Sequence, residues 1–245
     1  MLAFNNLFSV HLLMIIRNKT ALFWNFAMPA GLYIALSLLP LPNMLSLTYR
    51  DYILPGMVAY VIMSNGIYGL AYWMAEMRSK NVIKRFLASP VKVQDLVLSL
   101  VASRIVIMFF QTLFLTLIGI FGFNLNFTGN VFSIALLIIF GGGIFLLIGL
   151  LIANYSSSYE TATPLTTAVG LPMMFFGNVF FPAESLPSFL QIISQILPIT
   201  YLADGLRQSY IYNANYTDLT LPLTVLLLWL IFLLFLVIKI FKLKE

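Results

Sequence analysis

The sequence contains no cysteine. A disulfide framework, a thiolate metal site and thiol chemistry are therefore excluded. Histidine occurs once, at His11, and only eight residues are acidic. So few ligand-type side chains, so widely scattered, argue against a metal site on this chain. They also argue against a membrane-embedded enzyme, which needs His, Asp or Glu clustered at one membrane face. Charge of either sign is scarce, at 9% of residues, against about 25% in a soluble domain. The phosphate-loop pattern G-x-x-x-x-G-K-[ST], the zinc-protease pattern H-E-x-x-H and the hydrolase pattern G-x-S-x-G are all missing. The chain is thus expected to carry neither a nucleotide nor a metal of its own.

What fills the space is apolar: 61% of the residues are hydrophobic. A soluble core of this size does not need so many, whereas a bilayer accepts apolar side chains on lipid-facing and core-facing surfaces alike. Six stretches approach the roughly 20 mostly apolar residues that a spanning helix requires. They lie at 21–39, 53–75, 96–123, 131–153, 163–181 and 221–238. The pattern predicts an all-α, polytopic membrane protein with six transmembrane helices in a single transmembrane domain, residues 1–245. No removable signal peptide is expected, because the first run has no small-residue cleavage site.

The net charge of +5 is concentrated in the short gaps between these runs. Arg17, Lys19, Arg78, Lys80, Lys84, Arg85, Lys92, Lys239, Lys242 and Lys244 fall on one side of a six-span layout, and only Arg50 and Arg207 on the other. That segregation predicts a cell-membrane protein with both termini in the cytoplasm. It also fits contact with lipid headgroups rather than with nucleic acid.

Ahead of the first run, Phe4, Phe8, Leu12 and Ile15 recur at helical spacing, with Asn5, Asn6 and Ser9 on another face. This predicts a helix within residues 1–19 lying in the cytoplasmic interface, anchored by Arg17 and Lys19. Between the fifth and sixth runs, Pro187 and Pro198 bracket ten apolar-rich residues. A helix of that length rises about 15 Å and cannot cross. The region 182–215 should dip in and return, or lie on the outer surface. Within it, Asp204 and Arg207 are three residues apart and can pair on one helical face.

Inside the runs, Gly141, Gly142 and Gly143 read as a close helix-packing point. Arg104 is expected to snorkel to the inner interface. Glu160 either pairs with a basic residue or faces water. Gln111, Thr166, Thr167 and Asn178 either line a path or bond between helices.

The cytoplasmic segment 76–95 is the most informative. Val82, Ile83, Phe86 and Leu87 form one apolar face at helical spacing, Lys80, Lys84 and Arg85 a basic one, and Pro90 should stop the helix. Such a helix can insert into a groove on a soluble partner or lie on the headgroups. Composition leaves both open.

Three segments resemble a known family. Glu76 followed by Arg85-Phe-Leu-Ala-Ser-Pro90 is similar to the cytoplasmic coupling segment of type-2 ATP-binding-cassette (ABC) exporter permeases, the class that includes drug- and antibiotic-resistance permeases. The series Phe175-Phe-Gly177-Asn-Val-Phe-Phe181-Pro182, Leu186-Pro187, Leu197-Pro198-Ile-Thr-Tyr201 and Asp204-Gly-Leu-Arg207 resembles that family's signature at the end of span five and in an outer re-entrant hairpin. Asp51-Tyr-Ile-Leu-Pro55-Gly56 is a third match. The resemblance implies a permease subunit, paired with a second copy, that binds a separate nucleotide-binding ATPase subunit. ATP and Mg would reside on that partner, and Val82, Ile83, Phe86 and Leu87 would form the contact. The cargo would be amphipathic or hydrophobic: a drug, antibiotic, lipid or glycolipid. An ion-coupled secondary transporter is the competing expectation. It would usually carry central membrane acids or inverted repeats, and neither is evident in this sequence.

Overall fold

Asn18 ends one helix and starts the next. Its side chain accepts a hydrogen bond from the Ala21 amide at 3.1 Å, satisfying one of the four amides a helix start leaves unpaired. It separates α1 (Leu2–Arg17) from α2 (Lys19–Ser37). The computed structural model describes residues 2–45, 47–87, 92–212 and 218–240; the side chains of Leu2, Lys84, Phe86, Leu87 and Val93 lie outside that description.

Next, α3 (Tyr49–Ser64) runs through a single π-helical turn, Asn65–Gly69, into α4 (Leu70–Ser79). Asn81, in the left-handed region at φ 54°, turns the chain into the short α5 (Val82–Leu87). There follow α6 (Val93–Phe123), α7 (Val131–Tyr155), α8 (Tyr159–Phe176), α9 (Ser188–Ile196), α10 (Pro198–Ile211) and α11 (Thr220–Ile240). Local chemistry sets several boundaries. Asn124 closes α6 at φ 53°, Asn130 caps α7, Ser158 and Thr161 form a capping box at α8, and Pro198 opens α10 where its missing N–H costs nothing. Among the described residues no β-strand occurs, apart from an isolated Met44–Leu47 bridge.

Four helices are long and apolar enough to cross a membrane: Tyr49–Ser79, Gln94–Phe123, Val131–Tyr155 and Thr220–Ile240. A fifth would be the α9–α10 pair, bent by 81°, if it counted as one span. These four coincide with the second, third, fourth and sixth predicted runs. The first and fifth runs are also helical, as α2 and α8, but at 19 and 18 residues with polar insertions they do not meet the same standard. The fifth run also ends early. Helix stops at Phe176, and Asn178 adopts φ 58°.

The core is built around α3. Every residue from position 52 to 63 on it is buried, the mark of a helix apolar on all sides and enclosed by others. By contrast α11 is the more apolar of the two but buries only Pro222, Leu226 and Leu233. The glycine triplet is a packing point, as expected. A Cβ on Gly141 would lie 2.6 Å from Leu202, on Gly142 3.0 Å from Met108, and on Gly143 3.0 Å from Leu230. Successive residues turn by about 100°, so three adjacent glycines admit three different helices.

Candidate functional site

Two of the three segments that carry the family resemblance, 51–56 and 175–207, lie far apart in sequence and meet at one point. Tyr52, in the first turn of α3, donates its hydroxyl to Asn178 Oδ1 at 2.5 Å. Asn178 Nδ2 donates to Asp204 Oδ1 on α10 at 2.5 Å. Arg207, one turn further along α10, donates to the same Asp204 oxygen at 2.9 Å, to the Asn178 carbonyl at 2.9 Å and to the Tyr52 carbonyl at 3.3 Å. Its guanidinium carbon also sits 3.9 Å from the centre of the Tyr52 ring, within cation–π range. The expected Asp204–Arg207 pair is thus present, with the arginine side chain 4% and the carboxylate 36% exposed. One fork of donors ties together the start of α3, the turn after α8, and α10.

The remaining signature residues support this clamp. A Cβ on Gly56 would lie 2.2 Å from the Val179 carbonyl oxygen, so only glycine lets the turn after α8 approach α3 this closely. Gly177 ends α8 against Ile199. Pro182 is buried and precedes a 3-10 turn, Ala183–Ser185. Leu186 is half-buried, and its carbonyl accepts from Gln191 at 2.8 Å. Pro187 precedes α9, whereas Phe181 is exposed and stays outside the clamp. For Asn178, bonding between helices was one of the two readings of the sequence; the part played by Tyr52 was not foreseen. The Gly177-Asn178 pair is the turn signal that could have marked the former.

At the opposite end of α3–α4, Arg78 donates to the carbonyls of Ala153 and Ser156. It thereby satisfies acceptors that the end of α7 leaves unpaired. The segment that carries α5 therefore leaves from a fixed point. Within it, Ile83 is 3% exposed and belongs to the chain's own core, and Val82 is half-buried against that core. This corrects the expectation that all four apolar residues face a partner. The turn at Asn81 folds the first part of α5 back onto the chain, so Val82 and Ile83 anchor it. The side chains of Phe86 and Leu87, and residues Ala88 to Pro90, lie outside the described residues.

Arg104 is also corrected. It does not snorkel but is 7% exposed, and it donates to the Gly69 carbonyl at 2.9 Å. Gly69 closes the π turn, where an extra residue disturbs the regular ladder of helix bonds. Gln111 bonds between helices: it accepts from Asn65 at 2.5 Å and donates to the Asn25 carbonyl at 2.9 Å. Thr166 pairs with the Tyr72 hydroxyl at 3.1 Å. Glu160 is exposed in the first turn of α8. Among the described residues no three of His, Asp or Glu gather as a metal cluster would.

The single histidine is buried rather than solvated. His11 Nδ1 lies 3.2 Å from Ser99 Oγ, and Trp73 meets the ring edge-on at 5.2 Å. Burial, then the nearby Arg104 charge, lower its pKa from 6.5 to about 4. Between those values the unfolded chain binds the proton and the folded one does not, so stability falls as pH drops from 6.5 towards 4. The slope approaches 1.4 kcal/mol per pH unit. Melting of the purified protein at pH 7.5 and 5.5 should show this loss, and His11→Gln should flatten it. An unchanged slope in the variant would remove His11 as the cause.

Residues 22–239 match the family described as "ABC-2 family transporter protein". The chain belongs to that family. It is therefore a multi-pass membrane permease domain. Curated relatives include "ABC transporter G family member 20" of Dictyostelium discoideum, 24% identical over 192 residues, or 78% of this chain and 26% of that protein. "Inner membrane transport permease YadH" of Escherichia coli K12 is 24% identical over 169 residues, 69% of this chain and 66% of that protein. "Probable multidrug ABC transporter permease YbhR" of the same strain is 21% identical over 170 residues, 69% of this chain and 46% of that protein. The match thus covers from about a quarter to just under two thirds of these relatives.

Proposed function

We propose that this chain is the membrane-spanning subunit of an ATP-driven ABC exporter. In this reading α2 and α8 cross the bilayer beside the four longer helices, which makes six spans with both termini in the cytoplasm. Helix α1 lies in the inner interface. The α9–α10 pair is a re-entrant outer hairpin, since nine residues of α9 rise only about 14 Å. A second copy completes the transport path, and a nucleotide-binding subunit carrying ATP and Mg docks on the cytoplasmic side. The cargo is amphipathic or hydrophobic, in keeping with the word multidrug in the name of one relative.

The observation that carries the reading is mechanical. The α5 segment is anchored through Val82 and Ile83, and Arg78 locks its root to the end of α7. A push on α5 therefore moves α3–α4 and α7 together. Through α3 it reaches Tyr52 and the outer clamp, some 26 residues away from Arg78, or about 39 Å of helix. ATPase closure on one side of the membrane is thereby linked to the outer gate on the other.

The test is partner binding. Phe86→Asp and Leu87→Asp each place an unpaired charge in an apolar docking groove, which costs several kcal/mol. Both variants should insert normally yet lose the co-purifying ATPase subunit or its transport-linked turnover. Charge reversal at Lys80, which is solvent-exposed and paired with Glu76, should have a small effect. Full partner binding and activity in Phe86→Asp would overturn the coupling assignment.

A further inference from the structure

Two apolar grooves flank the first half of α2. One, of about 440 Å³, lies between Leu12 and Ile16 of α1, Leu22 and Phe26 of α2, and the α6 face that runs from position 107 to 117. The other, of about 470 Å³, takes in Lys19, Phe23 and Ala27. Leu22, Phe26 and Phe114 line both and form the ridge between them, with the two phenylalanine rings 5.4 Å apart.

The grooves have a length and a polarity. Ten residues of α6 rise about 15 Å, half of the roughly 30 Å hydrocarbon core, or one leaflet. The Gln111–Asn25 bond and the Tyr33–Phe123 ring contact show that α2 and α6 run side by side in the same direction. Stepping back along α2 from Asn25 places Lys19 level with about position 105 of α6, at the foot of the grooves. Lys19 lines the second groove, Arg17 directly follows Ile16, which lines the first, and both are exposed. Among the described residues neither enters an ion pair.

We infer that this face is a seat for one anionic phospholipid, with its acyl chains in the two grooves and its phosphate at Arg17 and Lys19. Uncompensated cations at the mouth of a leaflet-deep apolar groove match that ligand in both charge and length. A second copy of the chain fits poorly. A two-fold contact brings the same patch of both copies together, and here that would stack four cations with no acid between them. The lipid belongs to the inner leaflet if the proposed orientation holds; the seat itself does not depend on it.

The whole chain in nanodiscs can be labelled with photoactivatable phosphatidylglycerol or with the matching phosphatidylcholine. Phosphatidylglycerol should label peptides covering residues 22–26 and 107–117 in preference to the zwitterionic probe. Arg17→Gln with Lys19→Gln should weaken that labelling by roughly thirtyfold, since each basic residue near the surface is worth about fivefold. Its melting temperature in pure phosphatidylcholine should be unchanged, because both residues are exposed and the Asn18 cap remains. Equal labelling by the two headgroups, labelling elsewhere, or insensitivity to the double substitution would overturn the inference. As the chain has no cysteine, a single Leu113→Cys variant gives a clean second reading. Its efficient disulfide cross-linking to another copy would mean that protein, not lipid, covers the face. Failure of the ATPase pull-down would leave this result untouched.

Discussion

Replacing Arg207 by methionine should be among the most damaging single changes at this end of the molecule. The substitution keeps the length of the buried stem but removes every donor of the fork. Asp204 loses a charged partner, the Asn178 and Tyr52 carbonyls lose theirs, and the face of the Tyr52 ring loses its cation. Removing one member of a buried ion pair costs roughly 3–5 kcal/mol, chiefly because the other charge is left uncompensated. With Asp204 partly exposed, the lower end of that range is expected. Asp204→Asn is the informative contrast. A carboxamide oxygen still accepts from both Asn178 and Arg207, so the loss should be about 1–2 kcal/mol. Thermal melting of the two variants in detergent should rank them in that order, and the double variant should show a strong non-additive term. Equal losses would mean that Arg207 does not organise the clamp.

The second large effect is expected at the crossing of the π turn and α7. A Cβ on Gly149 would lie 2.4 Å from the Gly66 carbonyl oxygen, and one on Gly66 would lie 2.6 Å from the Phe145 carbonyl carbon and 2.8 Å from the Leu146 nitrogen. These neighbours are backbone atoms, so no rotamer change makes room and the two helices must separate. Overpacking typically costs about 1–3 kcal/mol and more where nothing can move. Gly66→Ala and Gly149→Ala should both reach or exceed the upper end, seen as loss of monodisperse protein on gel filtration and a lowered melting point. Gly31→Ala is the control. No atom lies within 4 Å of its Cβ position, and relieving a helix of glycine should stabilise by about 0.5–1 kcal/mol. If all three substitutions behaved alike, helix propensity rather than the close crossing would be the explanation. In the proposed mechanism the crossing matters because the π turn interrupts the α3–α4 rod that joins α5 to the clamp. Arg104 and Gln111 both bond to it, so side chains from α6 reinforce its geometry.

Much of the architecture was legible without coordinates. Apolar runs located the helices because hydrocarbon and protein core both demand apolar side chains. Spacing placed Asp204 beside Arg207 because residues three apart share a helical face. The scarcity of histidine, cysteine and acids removed whole classes of chemistry.

Other features required the folded chain. Because lipid and protein interior select the same side chains, apolarity does not rank burial: α11 is more apolar than α3, yet α3 is the central helix and α11 the peripheral one. The same ambiguity hid Ile83 inside the chain's own core when its pattern pointed outward. Helical periodicity shows which residues share a face, but not what covers that face. Most of all, Tyr52 and Asn178 are separated by 126 residues, and Tyr52 and Arg207 by 155. Local sequence determines where a polar group sits along its own helix. Only the packing of three helices, with glycine at each close approach, decides that these groups satisfy one another where water cannot.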